Sequence, residues 1–463
     1  MALCQVNSYC SFVPGGQFYT FNGSSRFDFN TNGCDVGDIN FPNLKYIITN
    51  GINVGSFIAN NTGLYTFSVQ AGTHTITPQL ENPNYFNISP TSASVTFPTQ
   101  TSPLTQNFCI TPNGIHHDLE IVIIPVNPAR PGFNASYKLI YKNKGNVLES
   151  GTVTASYDDA ILDYVSSSLP VTTQTYGNLI WNFTNLQPFE TREITFTLNL
   201  NSPMETPAVN AGDQLNFTAI ISSPNLDEEP SDNGFDFNQI VVNSFDPNDK
   251  TCLEGTTISQ AKVGSYVHYM IRFENTGTFP AQNIVVKDII DTTKFDINSL
   301  IPIKGSHNFE TRISDNNKVE FIFENINLPF DNANNDGYIV FKIKTKSTLV
   351  LGNTFSNLAN IYFDYNFPIV TNNYTTTIQN SLGLSENELY KNIIIYPNPA
   401  KNTINFETKE TILKIEIYDI SGRILSSNSV IENKIDISNL KIGNYILKVF
   451  TVNGVMSSKI IKE

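Results

Sequence analysis

Short strand-like segments separated by turn residues recur along the whole chain, and this pattern constrains the fold more than any other feature. Asn, Asp, Gly and Pro, which favour tight turns, punctuate runs rich in Thr, Phe, Tyr and branched aliphatic residues. Apolar and polar residues alternate over 63–69 and again over 71–77, which predicts two strands and a tight turn. We find no convincing amphipathic helix. The sequence therefore predicts an all-β protein.

An internal repeat divides the central part of the chain. Three pairs of segments match in the same order: 137–145 with 269–277, 186–190 with 328–331, and 212–217 with 352–357. They predict two copies of one sandwich domain, over 118–245 and 246–378. The element of a strand followed by Asn-x-Gly resembles the immunoglobulin-like repeats of bacterial surface proteins known as conserved repeat domains. The second copy also looks like a domain recurrent in flavobacterial surface proteins.

Residues 1–113 are predicted to form a separate β module. Its alternating strands resemble the B-type repeats of Gram-positive surface adhesins and related prealbumin-like sandwiches. That family carries an acidic loop, and this chain has one with the candidate metal ligands Asp28, Asn30, Asn32, Asp35 and Asp38. Calcium prefers hard oxygen ligands at alternate positions around a Gly, here Gly33. The loop is one residue shorter than its relatives after Gly33, and Asp38 replaces a longer Glu. Calcium binding and a metal-free hairpin turn remain open alternatives.

Two other acidic clusters are weaker metal candidates. Asp246, Asn248 and Asp249 lie at the junction between the predicted repeats, where an ion would stiffen the connection. The second cluster spans 331–337 and ends in Asp336-Gly337. Because Asn or Asp followed by Gly is a common hairpin signal, a plain turn is the favoured interpretation there.

The C-terminal residues 393–463 form a second kind of module, after a polar linker over 379–392. Short strands and turns carry a set of motif residues: Tyr396, Pro397, Asn398, Pro399, Asp419, Gly422, Arg423, Gly443, Tyr445 and Lys459. This tail resembles the C-terminal sorting domain of type IX secretion substrates in Bacteroidetes. The resemblance implies a small β-sandwich recognised by the type IX machinery and its sortase. It also implies transit through the periplasm to the cell surface or the medium.

The prolines, glycines and alternating side chains of this tail predict its local structure. Pro397 and Pro399 lack backbone donors and predict an extended start, while Gly422 and Gly443 are expected at turns. Alternation predicts that Leu413, Ile415 and Ile417 face one side of a strand, with Lys414 and Glu416 on the other.

Net charge is −14, but it is unevenly distributed. From Lys391 onward, ten Lys and Arg stand against seven Asp and Glu, whereas the preceding residues carry 18 against 35. An acidic body argues against nucleic-acid binding, which needs clustered cations. We expect no membrane-spanning helix, since no apolar run is long enough. The N-terminus lacks the features of a signal peptide, so we expect the chain to be the C-terminal part of a longer protein.

Five cysteines occur, without the C-x-x-C spacing of zinc or thioredoxin-like sites. An oxidising destination would allow a disulfide such as Cys34 with Cys109. Motifs for acyl transfer, zinc proteolysis and phosphate binding are missing, which favours a non-enzymatic protein. Trp181, between apolar neighbours, is predicted in a sandwich core, with a sugar-stacking platform as the alternative.

These observations predict tandem β-sandwich domains, immunoglobulin-like and prealbumin-like, with a small C-terminal sandwich. The predicted function is a secreted or cell-surface stalk or adhesin-like protein, with an unknown glycan or protein ligand and with calcium as the candidate cofactor. Two alternatives remain: the accessory C-terminal part of a longer secreted hydrolase, and a carbohydrate-binding module.

Overall fold

The computed structural model describes residues 17–243, 248–331, 334–364, 366–379, 393–408, 412–418, 423–428, 434–441, 443–451 and 454–463. Strands dominate this part of the chain, and its helices are two short 3-10 turns, Pro230–Asp232 and Gln260–Lys262. The predicted all-β class is therefore confirmed. The chain divides into two compact units, Met1–Gln379 and Asn380–Glu463, which we call the body and the tail.

The first part of the body builds strands around an aromatic core. They are β1 (Tyr19–Phe27), β2 (Ile39–Asn40), β3 (Lys45–Thr49), β4 (Val54–Ile58), β5 (Leu64–Val69), β6 (Gly72–Gln79), β7 (Phe86–Ser89), β8 (Ala93–Phe97), β9 (Leu104–Thr105) and β10 (Phe108–Pro112). The strands predicted over 63–69 and 71–77 are present as β5 and β6. They do not pair with each other: β5 pairs with β1, whereas β6 lies between β3 and β8 in another sheet. A disulfide joins Cys34 to Cys109, as the sequence suggested.

Two facing sheets form the second part of the body. Its strands are β11 (Leu119–Pro125), β12 (Asn134–Asn143), β13 (Glu149–Tyr157), β14 (Leu162–Ser167), β15 (Thr173–Thr175), β16 (Asn178–Leu186), β17 (Thr191–Leu200), β18 (Gln214–Ser222) and β19 (Gly234–Ile240). One sheet has the order β11-β12-β17-β14 and the other β15-β16-β13-β18-β19. Alternate side chains from both sheets, including Tyr137, Trp181 and Phe196, share one core.

The third part of the body is another sandwich. Its strands are β20 (Lys250–Cys252), β21 (Thr257–Ser259), β22 (Tyr266–Glu274), β23 (Ile284–Ile289), β24 (Phe295–Gly305), β25 (Glu310–Ser314), β26 (Lys318–Phe323), β27 (Asp336–Thr345), β28 (Thr354–Asn357), β29 (Ala359–Phe363), β30 (Ile369–Val370) and β31 (Tyr374–Gln379). They form sheets of order β20-β22-β27-β24 and β21-β31-β28, and part of a nine-stranded sheet.

That nine-stranded sheet joins the first and third parts edge to edge. Its order is β30-β29-β23-β26-β25-β4-β3-β6-β8, and β25 pairs with β4 through Thr311 to Ile58 and Ile313 to Ser56. The strand pattern of residues 1–113 predicts a separate module and gives no sign of this pairing. Edge pairing depends on which strands the tertiary fold brings together, and not on the local pattern.

The tail consists of β32 (Ile393–Tyr396), β33 (Thr403–Thr408), β34 (Ile412–Tyr418), β35 (Ile424–Asn428), β36 (Lys434–Asp436), β37 (Gly443–Thr451) and β38 (Gly454–Lys462). Its sheets, β32-β33-β36 and β35-β34-β37-β38, enclose a core of aliphatic residues around Phe406. The prediction that Leu413 faces the same side of β34 as Ile415 and Ile417 is wrong, because both isoleucines are buried in this core and Leu413 is not. The register of β34 against β37 shifts between Ile412 and Lys414, so Ile412 is buried while Leu413 is 52% exposed.

Candidate functional site

The start and the end of the tail are fastened to each other. The Asn398 side chain accepts a hydrogen bond from the Ile461 amide (2.9 Å) and donates one to the Lys459 carbonyl oxygen (2.8 Å). Ala400 continues this contact, because its amide donates to Ile461 and its carbonyl oxygen accepts from Glu463. The segment 396–400, which we call the proline segment, is thus held along β38 by one asparagine and the backbone beside it.

Several predicted sorting residues meet around β38. Tyr396, Pro397, Asn398 and Pro399 are exposed on the proline segment, and Lys459 is exposed on the strand beside them. On the other edge of β38, Tyr445 pairs with Ile460 and Gly443 with Lys462. The expected turn at Gly443 is wrong, because Gly443 is the first residue of β37. The Tyr445 hydroxyl donates to the Lys441 carbonyl oxygen at 2.7 Å.

The remaining predicted sorting residues are Asp419, Gly422 and Arg423. Arg423 is exposed immediately before β35, away from the proline segment in sequence. Asp419 and Gly422 lie outside the described residues, as do most of the predicted linker 379–392 and residues 244–247. The tail therefore presents one defined surface, made of the proline segment and β38, that a recognition partner can contact.

Two protein families match parts of this chain. Residues 394–463 match the secretion system C-terminal sorting domain, and residues 246–377 match a domain of unknown function, DUF7619. The first match supports type IX secretion of a Bacteroidetes-type protein, with a destination in the medium or on the outer surface. No sequence among curated proteins matches this chain. The resemblances to adhesin B-repeats and immunoglobulin-like repeats stay predictions.

Solved structures with detectable likeness include a streptococcal polypeptide domain and a Bacillus pilin subunit. The C-terminal domain of the Streptococcus agalactiae AgI/II polypeptide BspA is 11% identical, covering 56% of this chain and 99% of that one, with a TM-score of 0.22. BcpA, the major pilin subunit of Bacillus cereus, is 11% identical over 91% of this chain and 95% of that one, with a TM-score of 0.20. At such TM-scores the likeness carries no argument, and the architecture stands on the strands described above.

The acidic loop over 28–38 is held by its own backbone. The buried Asp28 carboxylate accepts hydrogen bonds from the amides of Asn32 (3.1 Å) and Gly33 (2.8 Å). Asp35 accepts from Gly37, and Asp38 accepts from Asp35. These are the bonds expected of the metal-free turn. Asn30, Asn32 and Asp35 are nevertheless exposed on the same loop, so calcium binding stays a prediction.

The other two acidic clusters have structural partners. Asp249 forms a two-pronged ion pair with Arg272, with N–O distances of 2.7 and 2.8 Å. Asn248 caps the amide of Glu274. In the second cluster, the Asp331 carboxylate accepts a hydrogen bond from the side chain of Asn334, and the Asp331 carbonyl oxygen accepts one from the Asn334 backbone amide. These two bonds close a turn, which is the interpretation favoured above. Within the described residues, no group of three or more His, Cys, Asp or Glu is arranged to hold a metal ion.

Trp181 is not an exposed sugar platform. It is 2% exposed, packs against Phe196 and donates through Nε1 to the Ser167 hydroxyl and the Leu169 carbonyl oxygen. The core placement predicted from its apolar neighbours is confirmed. The carbohydrate-binding alternative that relied on Trp181 is therefore wrong, because the indole faces are covered by the sandwich.

The histidines near the domain junctions make structural contacts. His116 stacks on Tyr85 and lies 2.6 Å from Glu228. His117 contacts Glu149, and His268 contacts Glu254 at 2.6 Å. His268 is therefore held in place by Glu254 within the body.

A buried charge network that sequence reasoning missed connects the three parts of the body. Lys342, on β27, is 2% exposed and contacts Glu81 (3.0 Å), which follows β6, and Glu120 (2.7 Å) on β11. Nearby, Lys144 contacts Asp118 (3.0 Å) and Asp232 (2.5 Å). Burial raises the pKa of Asp118 to about 6 and that of Asp232 to about 7, although Lys144 opposes both shifts. Glu81, Asp232 and Lys342 are far in sequence from Asp118, Glu120 and Lys144, and the six residues share no motif.

A cleft of about 570 Å³ opens beside this network. Its lining includes Lys45, Lys142, Lys144 and Lys344, but only Glu81 and Asp296 as carboxylates. The Tyr266 ring lies between two lysine ammonium groups, 4.6 Å from Lys342 and 4.9 Å from Lys344. In a protein of net charge −14, this cleft is a local concentration of positive charge. Among the described helices, none has the length and apolar character needed to cross a lipid bilayer.

Proposed function

We propose that this chain is a non-enzymatic, adhesin-like surface or secreted protein, exported by the type IX secretion system through its tail. The observation that carries the proposal is the match of residues 394–463 to the sorting domain, together with their folding as a compact unit. A compact terminal unit is suited to recognition by an export machine because the surface to be recognised lies within the unit itself. The partners are the type IX machinery and its sortase.

The body supports a structural and adhesive role. Its first and third parts share a sheet, its first part is closed by the Cys34–Cys109 disulfide, and Lys342 ties all three parts together. Three of its histidines, His116, His117 and His268, are paired with carboxylates. Such a rigid body is what a protein needs to hold a binding surface away from a cell.

The positively charged cleft is the best-supported place for a ligand. Lysine ammonium groups bind carboxylates and sulfates, and four lysines line this cleft. We assign an acidic glycan as its ligand class. The Asp28 loop is proposed as a calcium site that stiffens the first part of the body.

Export is tested with a secreting Bacteroidetes host. A reporter with its own inner-membrane signal is fused to residues 380–463, and its distribution between cell fractions and medium is measured. We expect the fusion on the outer surface or in the medium, and the same reporter without the tail in the periplasm. Equal distributions for the two reporters would overturn the sorting role.

A further inference from the structure

Three polar side chains meet inside the apolar core of the third part of the body. Lys250 and Asp288 are fully buried, and Asn357 is 5% exposed. The Lys250 ammonium nitrogen donates to Asp288 Oδ2, and the Asn357 amide nitrogen donates to the same oxygen at 3.2 Å. One carboxyl group therefore touches both the amine of a lysine and the amide nitrogen of an asparagine.

The three residues come from three different sheets. Lys250 begins β20, in the sheet β20-β22-β27-β24, whereas Asp288 is on β23 of the nine-stranded sheet. Asn357 ends β28, in the sheet β21-β31-β28. A covalent bond among them would connect strands that are otherwise joined only by packing.

Their surroundings favour uncharged forms of the amine and the acid. The rings of Tyr269 and Phe341 lie 4.9 and 5.4 Å from the lysine nitrogen. Asp288 Oδ1 is a buried oxygen with no hydrogen-bond partner among the described residues. Burial lowers the pKa of Lys250 and raises the pKa of Asp288, each against the opposing effect of its partner. An ion pair in such a place is costly, and a neutral amine is a nucleophile.

The second part of the body shows that a sandwich of this kind does not need a lysine at the position of Lys250. Leu139 and Ile271 correspond in the matched segments 137–145 and 269–277. Ile271 pairs with Lys250, while Leu139 pairs with Ile123, a buried aliphatic residue.

The other two positions follow the same pattern. In the matched segments 212–217 and 352–357, Asn357 corresponds to Phe217. Ala219 and Ala359 lie two residues after Phe217 and Asn357. Ala359 pairs with Asp288, whereas Ala219 pairs with Ala155. Lys250, Asp288 and Asn357 of the third part therefore correspond to Ile123, Ala155 and Phe217 of the second part. Burying three such groups together needs a reason beyond folding.

We propose that Lys250 and Asn357 become joined by an internal amide bond, with Asp288 as the catalytic residue. The neutral Lys250 amine attacks Cγ of Asn357, and the new N–C bond forms as the bond from Cγ to the asparagine nitrogen breaks. Asp288 takes a proton from the attacking nitrogen and delivers one to the leaving nitrogen, which departs as ammonia. No oxidant, cofactor or second protein is consumed, and Asp288 ends in its starting state.

Asn357, and not Asp288, is the electrophile, because Asp288 lies against the nitrogens of both Lys250 and Asn357. Its Oδ2 contacts both nitrogens that exchange the proton, which is the position of a proton relay. The inference does not depend on the export proposal, since the bond forms within the folded body.

Mass spectrometry of the purified full chain tests the proposal. After denaturation and reduction, the wild-type protein is expected to weigh about 17 Da less than its sequence, the mass of one ammonia. A protease digest should contain one branched peptide that joins Lys250 to Asn357. Asp288→Ala, which keeps both partners, should restore the full mass, as should Asn357→Ala. Lys287→Met, one residue from Asp288 on the same strand, should keep the loss.

The wild-type digest decides the question even if the variants fail to fold. An unchanged mass with a free Lys250 amine would overturn the proposal. So would a loss of about 18 Da with Lys250 joined to Asp288, because water would then be the leaving group.

Discussion

Asn143 and Asn275 make the same three hydrogen bonds in the second and third parts of the body. Each donates to the carbonyl oxygen four residues ahead (2.7 and 3.0 Å) and to that of a leucine, Leu186 or Leu328 (3.0 Å in both). Each accepts from the amide of the glycine two residues ahead, at 3.0 Å. Both side chains are buried, so each one closes the turn after a long central strand.

Replacing either asparagine should destabilise the body. Asn143→Ala and Asn275→Ala each remove three buried hydrogen bonds to the backbone, at a cost of about 2–4 kcal/mol in the free energy of unfolding. Urea denaturation followed by circular dichroism measures this. Asn182→Ala, at an exposed strand position, is the control and should change the free energy by less than about 0.5 kcal/mol. Equal effects for buried and exposed asparagines would contradict the structural role.

Asn398 should determine how well the tail is recognised. Asn398→Ala removes two hydrogen bonds between the proline segment and β38 and should weaken the tail by about 1–2 kcal/mol. The fraction of a tail-fused reporter that reaches the medium should fall accordingly. Asn444→Ala, exposed on β37, serves as the matched control. Normal export of the Asn398 variant would show that the proline segment need not be fastened to β38.

Calcium should raise the melting temperature of the body through the Asp28 loop. A protein treated with a chelator and then supplied with calcium is expected to melt a few degrees higher, by about RT ln(1 + [Ca]/Kd) in free energy. Asp28→Asn should lose this response, because it removes the only buried carboxylate of the loop. A melting temperature that is the same with calcium and with chelator would dismiss the site.

The charge network should make stability depend on pH. The pKa values of Asp118 and Asp232 are raised to about 6 and about 7 in the folded protein, so the folded state holds more protons than the unfolded one between about pH 4 and 7. Their contribution to stability is therefore complete at pH 4 and is lost as the pH rises through 7, by about 1–3 kcal/mol in total.

Denaturation curves between pH 5 and 8 measure this contribution. Asp232→Asn should flatten the pH dependence relative to the wild type, because Asn does not titrate. An unchanged slope in that variant would place the pH dependence elsewhere.

The positively charged cleft should bind acidic oligosaccharides. The double variant Lys142→Ala/Lys344→Ala is expected to weaken binding of an alginate oligomer about tenfold, with a smaller effect at high salt. Isothermal titration calorimetry measures the affinity. Lys262→Ala/Lys287→Ala removes the same charge away from the cleft and should leave the affinity unchanged. Equal losses in both double variants would indicate nonspecific attraction.

Local pattern was sufficient to predict some features of this molecule. The apolar neighbours of Trp181 predicted its burial, and the oxidising destination suggested the Cys34–Cys109 disulfide. The tail could be recognised as similar to a sorting domain because its motif residues follow one another along the sequence in the order of that family. Leu413 shows where pattern fails, because the register shift between Ile412 and Lys414 leaves Leu413 exposed, whereas Ile415 and Ile417 share one buried face as alternation predicted.

Contacts between distant segments could not be predicted in the same way. Lys250, Asp288 and Asn357 are separated by dozens of residues and meet only because three sheets share one core. The charge network around Lys342 likewise depends on how the three parts pack. A single sequence contains no local signal for either group, since buried lysines and surface lysines look alike.

The pairing of β4 with β25 has a practical consequence for dissecting this protein. A fragment beginning near residue 118 would leave β25 with an unpaired row of backbone donors and acceptors. Such a fragment would tend to add strands from its own copies and precipitate. Truncations meant to isolate the middle of the chain should keep the residues before it or cap that edge.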